Sequence, residues 1–169
     1  MTISMYNASV PVFKQLLNAL MMILDKAETH ARQHKINPDT LLQARIFPDM
    51  FNFIRQVQIA TDFAKGVSAR LAGLEMPVFD DVEMQFHELQ ERITKTLEFI
   101  SSIPVDAING SETLEIITRA GTPKEKRFTG LVYLLHYGLP QFFFHVTTAY
   151  DILRSQGVEI GKRDYMGVF

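Results

Sequence analysis

The sequence predicts an all-α protein, built as a four-helix bundle with a short extra helix and a small β-hairpin before the last helix. Apolar residues recur every three or four positions along four segments, which is the spacing that lines one face of a helix. Most connections between these segments are short, which favours antiparallel neighbours in a bundle. The chain has 169 residues with no internal repeat and no long linker, so we expect a single domain over residues 1–169.

The first half of the chain carries two long helical stripes with a short helix between them. The first stripe consists of Tyr6, Val10, Phe13, Leu17, Leu20, Leu24, Ala27 and Ala31. Asn37-Pro38 predicts the start of the short helix, because Asn accepts hydrogen bonds from free backbone amides and Pro is favoured in the first turn. The second stripe ends at Gly73 and consists of Met50, Phe53, Val57, Ala60, Ala64, Val67 and Leu71.

A third long helix is predicted to begin at Asp80 and Asp81 and to end before Pro104. Its apolar stripe consists of Val82, Phe86, Leu89, Ile93, Leu97 and Ile100. The helical pattern is then lost within residues 111–130. There, LEIIT and KRFTG are short β-prone pieces separated by AGTPKE, and they predict a small hairpin.

The last helix is predicted to run from LVYLLHYG to Gly157, with an interruption at Pro140. Residues 158–169 show no periodicity. We expect this tail to pack along the bundle, because Ile160, Tyr165 and Phe169 would otherwise expose large apolar side chains.

Composition and charge exclude several classes of function. The net charge is −2 and no cluster of Lys and Arg appears, which argues against nucleic-acid binding. The chain has no Cys, so disulfides, zinc–thiolate sites and a thiol nucleophile are excluded, and we expect a cytoplasmic protein. No signal-peptide pattern and no apolar stretch of about 18 residues occurs, which predicts no membrane association.

The apolar content of the chain also bears on its oligomeric state. Because 47% of the residues are apolar and 13 are Phe, we expect a homodimer whose interface covers the apolar surface that four helices leave exposed.

One polar stripe on the last helix carries the candidate site. In PQFFFHVTTAYDILRSQG, residues 140–157, His145 lies about 80° from the apolar centre of the helix. Gln141, Thr148 and Ile152 share that stripe. Gln141 and His145 are one turn apart, a spacing that suits two ligands of one metal, although Gln is a poor ligand for transition metals. The alternative is a structural histidine that is hydrogen-bonded to a neighbouring carbonyl or hydroxyl.

Four stretches carry a resemblance to a known superfamily: RIFPDM, QVQIATDFA, LPQFFFHVTTAY and GKRDY. They resemble the DinB-like (DinB/YfiT) superfamily of metalloenzymes, and within it an uncharacterised bacterial branch known as a domain of unknown function. The resemblance implies a DinB-like bundle, relatives that are often dimeric, and a metal held by one His on the second helix and two on the last.

Carried over to this chain, the implied metal triad is incomplete. His145 matches one position, and Gln141 stands where the other His of the last helix would be. The second helix has no His. Gln56 is its inward candidate, whereas Gln58 and Asp62 are expected to point outward. Gln56, Gln141 and His145 would hold a divalent metal such as Zn²⁺ or Ni²⁺ only weakly, so no cofactor is certain.

The remaining histidines and the glycine-rich tail give weaker signals. His30 and His34 form a pair in the last turn of the first helix, where a solvated helix end is favoured over a metal site. His87 lies between two Glu residues on an expected exposed face, and the role of His136 is open. GVEIGKRDY fails as a phosphate loop, because three residues separate its glycines and Arg follows Lys. Lys162 and Asp164 are expected to anchor the tail.

Two hypotheses of function remain. The favoured one is a bundle with a degenerate metal site that binds a small apolar ligand or a partner, with a pocket formed by Gln56, Gln141, His145 and Thr148. The alternative, implied by the resemblance, is a metal-assisted or small-thiol-dependent transferase or isomerase that uses His145 as ligand or base.

Overall fold

The computed structural model describes residues 3–169 and confirms the predicted helical bundle with its small hairpin. Four long helices form the bundle, namely α1 (Val10–Gln33), α3 (Phe53–Leu71), α4 (Phe86–Ser102) and α7 (Leu139–Ser155), and α3 packs between α4 and α7. No helix within residues 3–169 is long and apolar enough to cross a membrane. The elements are α1 (Val10–Gln33), α2 (Pro38–Leu42), α3 (Phe53–Leu71), α4 (Phe86–Ser102), α5 (Val105–Ile108), a 3-10 turn (Ser111–Thr113), β1 (Glu115–Thr118), β2 (Lys126–Thr129), α6 (Gly130–Val132), a π-helix (Tyr133–Gly138), α7 (Leu139–Ser155) and α8 (Lys162–Met166).

The core is built from the apolar stripes that the sequence displays. The ring of Phe13 on α1 meets the ring of Phe142 on α7 edge-on, with centroids 4.9 Å apart. Full burial of such side chains contributes about 1.5–3 kcal/mol each, so these stripes dominate the stability of the bundle. Asn37 caps α2 as predicted, because its side chain accepts a hydrogen bond from the amide of Asp39.

The prediction that α4 begins at Asp80 and Asp81 is wrong. The helix begins at Phe86, where the carboxylate of Glu88 accepts hydrogen bonds from the amides of Met84 and Gln85. Residues 74–85 instead form an extended segment, called the strap here, that crosses α3 and α4. The side chain of Asp81 pairs with cations of those helices, so it is not available to cap a helix of its own.

The hairpin is confirmed, and β1 and β2 pair antiparallel with Ile116 opposite Phe128. The predicted interruption at Pro140 is wrong, because the π-helix leads into α7 without a break. Pro lacks an N–H and its ring crowds the carbonyl four residues earlier in an α-helix. The wider turn of the π-helix, in which hydrogen bonds span five residues, accommodates both effects.

The C-terminal tail packs along α1, as predicted, up to its last residues. Ile160 is buried, and the carboxylate of Asp164 lies 2.6 Å from the Nζ of Lys26. Tyr165 is half-buried and its hydroxyl lies 3.0 Å from the Oγ1 of Thr147. Phe169, however, is 94% exposed, so the expectation that it packs on the bundle is wrong.

Candidate functional site

His145 and Gln56 form a buried polar pair between α7 and α3. The Nδ1 atom of His145 lies 2.7 Å from the Oε1 atom of Gln56, and both residues are buried. Each occupies the flank of its helix rather than the centre of its apolar stripe, which is where the sequence places them. The two segments run antiparallel, since Gln56 meets His145 whereas Arg70, further along α3, meets Tyr133, and their contact brings the flanks together.

A second hydrogen bond fixes the direction of this pair. The Nε2 amide of Gln56 donates to the backbone carbonyl of Phe51 at 3.3 Å, so the amide oxygen faces the imidazole. A carbonyl oxygen accepts, and therefore the Nδ1 atom of His145 carries the proton. The Nε2 atom of the neutral ring then holds a lone pair.

Aromatic rings enclose the imidazole on two sides. The ring of Phe63 lies nearly parallel to it, with centroids 5.9 Å apart, and the ring of Phe144 meets it edge-on at 5.2 Å. Burial among these groups, aided by the positive charge of Arg55, lowers the pKa of His145 to about 4. The side chain is therefore neutral at physiological pH.

The other two side chains predicted for this pocket do not join the pair. Thr148 is buried, but its hydroxyl donates to the carbonyl of Phe144 at 2.7 Å within the same helix. Gln141 is half-buried and lines a shallow depression together with His136 and Tyr137. Within residues 3–169, neither side chain hydrogen-bonds to His145 or Gln56.

The donor set does not fit a tight site for a first-row metal. It offers one imidazole and two amides, and the oxygen of Gln56 is already engaged by the proton on His145. Among residues 3–169, no group of three His, Cys, Asp or Glu side chains is arranged to hold a metal ion. The Nε2 lone pair of His145 is the strongest metal ligand in this donor set.

A larger polar cluster, which is not among the predicted sites, lies where the strap crosses α3 and α4. Arg92, on α4, is fully buried and forms ion pairs with Asp62, Asp81 and Glu83 at 2.8, 3.0 and 3.0 Å. Its Nε atom also donates to the hydroxyl of Thr61 at 2.8 Å. The cluster thereby ties the strap to α3 and α4.

Lys65 and Gln58 extend this cluster along α3. The Nζ atom of Lys65 lies 3.0 Å from Asp62 and 3.9 Å from the ring centroid of Phe79 in the strap. Gln58 is buried and donates to Glu83 at 2.8 Å, so the prediction that it points outward is wrong. The strap covers the face of α3 that the angular pattern assigns to solvent.

A signal for this cluster exists in the sequence. Arg92 and Thr96 fall on the apolar stripe of α4, three and seven residues after Leu89. Thr61, Lys65 and Ser68 form a polar stripe on α3 with helical spacing, and all three are buried. Charged residues at core positions are almost always paired, so the two stripes together indicate a buried ion-pair layer.

The remaining histidines lie on the surface of the described part of the chain. His87 is exposed, as predicted. The rings of His30 and His34 lie 4.2 Å apart at the end of α1, and the Nδ1 atom of His34 lies 2.9 Å from the carbonyl of His30. His136 is exposed in the π-helix. In the described part of the chain, none of them forms a metal-holding group with His145 and a third His, Asp or Glu.

The bundle and its last-helix histidine define a DinB-like protein. The structure superimposes on the crystal structure of a DinB family member protein from Shewanella denitrificans with a TM-score of 0.91 and 39% sequence identity. The match covers 97% of this chain and 92% of that chain. More particularly, the chain belongs to the family described as domain of unknown function DUF1993, whose sequence profile matches residues 5–166. A comparison with curated proteins gives no match.

Proposed function

We propose that this protein is a DinB-like module that binds a small ligand or a partner without using a metal at the superfamily position. The hydrogen bond between Gln56 and His145 carries this proposal. At two positions where the superfamily pattern has imidazole ligands, this chain has the amides of Gln56 and Gln141. The amide oxygen of Gln56 accepts a hydrogen bond from the imidazole of His145. A pair that is held in this way contributes to packing rather than to Lewis-acid chemistry.

The low pKa of His145 supports the same proposal. A general base works best when its pKa lies near the operating pH. With a pKa of about 4, the imidazole accepts a proton only weakly at neutral pH. Proton abstraction by His145 is therefore disfavoured, and its neutral ring serves as a structural hydrogen-bond donor to Gln56.

A metal-assisted function is the second candidate, and one observation favours it. The proton of His145 lies on Nδ1 and is directed at a carbonyl oxygen, which leaves Nε2 available. Metal-binding histidines generally donate their other N–H in this manner. In this alternative, Nε2 of His145 would be the one strong ligand, and a small thiol or substrate would complete the coordination of Zn²⁺ or Ni²⁺.

Calorimetric titration with Zn²⁺ and Ni²⁺ separates the two candidates. We expect tag-free protein to bind either ion at micromolar affinity or worse, because one imidazole is a weak site. A stoichiometric nanomolar site that disappears in His145→Ala would reject the metal-free proposal. The matched control is His87→Ala, which removes an exposed imidazole on α4.

We also propose that the protein is a homodimer. Phe47, Phe51 and Phe144 are 62%, 56% and 56% exposed. The backbone carbonyl of Phe51 and the ring of Phe144 both adjoin the Gln56–His145 pair, so the two residues belong to one neighbourhood. Exposed aromatic groups that lie together favour a covered interface.

Light scattering tests the dimer directly. We expect a mass of twice the 19.3 kDa chain, and we expect Phe144→Asp to shift the mass to that of a single chain. The control is Phe169→Asp, since that side chain is 94% exposed at the end of the tail. A wild-type mass of one chain at micromolar concentration would contradict the dimer.

A further inference from the structure

A cleft of about 330 Å³ lies on the other side of Phe63 from His145. Four separate parts of the chain form it, namely α3, the strap, the end of β1 and the π-helix. His145 is not among the residues that line it. The cleft is lined by Asp62, Phe63, Lys65, Val67, Arg70, Met76, Val78, Phe79, Thr118, Arg119, Tyr133 and Tyr137.

The side chains that line the cleft carry more positive than negative charge. Asp62 is the only carboxylate in the lining, and it is engaged by both Lys65 and Arg92. Within residues 3–169, neither Arg70 nor Arg119 has a carboxylate within 4.0 Å. Two arginines that line the cleft therefore have no carboxylate countercharge within 4.0 Å, on a chain whose net charge is −2.

Arg70 is held in place by its neighbours. Its Nη1 atom donates to the carbonyl of Gly66 at 3.1 Å and to the hydroxyl of Tyr133 at 3.2 Å. A Cβ atom at Gly66 would lie 2.8 Å from that same Nη1 atom, so the glycine leaves room for the guanidinium to lie against α3. Glycine within a helix costs about 1 kcal/mol relative to alanine. The close approach of the Arg70 guanidinium explains why glycine nevertheless occupies position 66.

The opposite rim of the cleft carries a backbone outlier. Arg119 has a φ of 53°, a conformation that side chains other than Gly and Asn rarely adopt. Such strain persists where the surrounding structure holds it, and it concentrates at binding sites. The π-helix that supplies Tyr133 and Tyr137 is likewise a geometry found frequently at functional sites.

Tyr133 supplies the cleft with a hydroxyl group that accepts a hydrogen bond from Arg70. Burial raises the pKa of Tyr133, so its O–H remains protonated at neutral pH. Its oxygen accepts the hydrogen bond from Arg70, which leaves the hydroxyl proton free to be donated. Phe63, Val67 and Phe79 give the same cleft an apolar wall.

We propose that this cleft binds a small carboxylic acid with an aromatic or apolar body. Arg70 and Arg119 would hold the carboxylate, with the Tyr133 hydroxyl as a further donor, because charge-assisted hydrogen bonds from guanidinium groups suit a planar carboxylate. The apolar wall would receive the body of the ligand. This ligand class rests on the proposed function, that a small molecule is bound without a metal.

The test is calorimetric titration with 2-naphthoate in the presence of EDTA. The neutral isostere 2-naphthamide and inorganic phosphate serve as matched probes, the first lacking the charge and the second lacking the apolar body. We expect naphthoate to bind about tenfold more tightly than naphthamide, because only the acid offers a charged acceptor. Phosphate should give no measurable heat.

Two variants locate the binding. Arg119→Gly removes a guanidinium while suiting the positive φ, so it should weaken naphthoate about fivefold or more without loss of stability. Arg70→Gln should weaken it about tenfold or more, since it removes the held guanidinium. Lys124→Ala, in the same hairpin turn but outside the cleft, should leave the affinity unchanged.

The outcomes separate the two proposals. Equal affinity for naphthoate and naphthamide, absence of naphthoate binding both in EDTA and with added Zn²⁺, or an affinity unchanged in both arginine variants would overturn the assignment of the cleft. Naphthoate binding that requires added Zn²⁺, but is weakened by both arginine substitutions, would support the cleft and reject the metal-free function.

Discussion

The guanidinium of Arg92, on α4, lies 2.8 Å from the carboxylate of Asp62, on α3, and has almost no contact with solvent. The same side chain reaches Asp81 and Glu83 in the strap, so one residue links two helices and a loop. Removing one partner of a buried ion pair is far more costly than removing both, because the remaining charge is stranded. Arg92 therefore joins the strap to α3 and α4 at once.

Arg92→Met is expected to lower the free energy of unfolding by on the order of 3 kcal/mol. This value is at the low end for buried pairs, because Asp62 and Asp81 remain 39% and 38% exposed and can be hydrated. Urea denaturation measures it. Lys95→Met, an exposed cation one turn further along α4, should change the stability by less than about 0.5 kcal/mol.

The stability of the protein is expected to fall as the pH is lowered from 6.5 towards 4. His145 has a pKa of about 4 in the folded state and 6.5 in a model peptide. Between those values the unfolded chain binds more protons, so protonation favours unfolding, whereas above pH 6.5 both states are neutral. Between pH 7.5 and pH 5, protonation of this residue lowers the free energy of unfolding by about 2 kcal/mol.

Urea denaturation at the two pH values, with His145→Gln beside wild type, measures this contribution. Between pH 7.5 and pH 5, the free energy of unfolding of the variant should fall by about 2 kcal/mol less than that of wild type. His87→Gln, which removes an exposed histidine, should retain it. Identical pH dependence in wild type and His145→Gln would show that the imidazole is not buried in its neutral form.

The double variant Gln56→His, Gln141→His is expected to gain Zn²⁺ binding. It places three imidazoles at the positions implied by the superfamily pattern, and imidazole binds zinc far better than an amide does. Calorimetry should show an affinity about 100-fold or more above that of wild type. Adding His145→Ala should remove the gain, and a double variant no better than wild type would reject this assignment of positions.

Truncation after Gly157 is expected to lower the melting temperature by about 10 °C. Val158 and Ile160 are buried, and losing that burial costs roughly 1.5–3 kcal/mol for each side chain. Deletion of only Val168 and Phe169, each 94% exposed, should leave the melting temperature unchanged. Equal melting of the full chain and the long truncation would mean that the tail does not support the bundle.

The sequence predicts the bundle well because helical periodicity is a local property. The stripe of α1, from Val10 to Ala31, is buried as expected, and the hairpin follows from its turn residues. The strap could not be predicted in this way. Asp80 and Asp81 look like a helix start, and only the tertiary position of Arg92 shows that Asp81 is used as a countercharge.

The candidate site is predictable in part for the same reason. The helical angle places Gln56 and His145 on the flanks of their helices, and the structure brings these flanks together. Gln141 shares the stripe of His145 but makes no hydrogen bond to the pair within residues 3–169. The cleft beyond Phe63 is formed by four separate segments of the chain, so no local sequence pattern predicts it.

The π-helix makes the length of the chain, rather than the identity of any residue, decide which side chains before and after it meet α3. Its wider turn is equivalent to one residue inserted into an α-helix, which rotates everything that follows by about 100°. Tyr133 and Tyr137 precede the end of that turn and face the cleft, whereas His145 follows it and faces Gln56. A relative lacking one residue here would keep a continuous helix but could present only one of these two surfaces to α3, so the two sites would be separable by a single deletion.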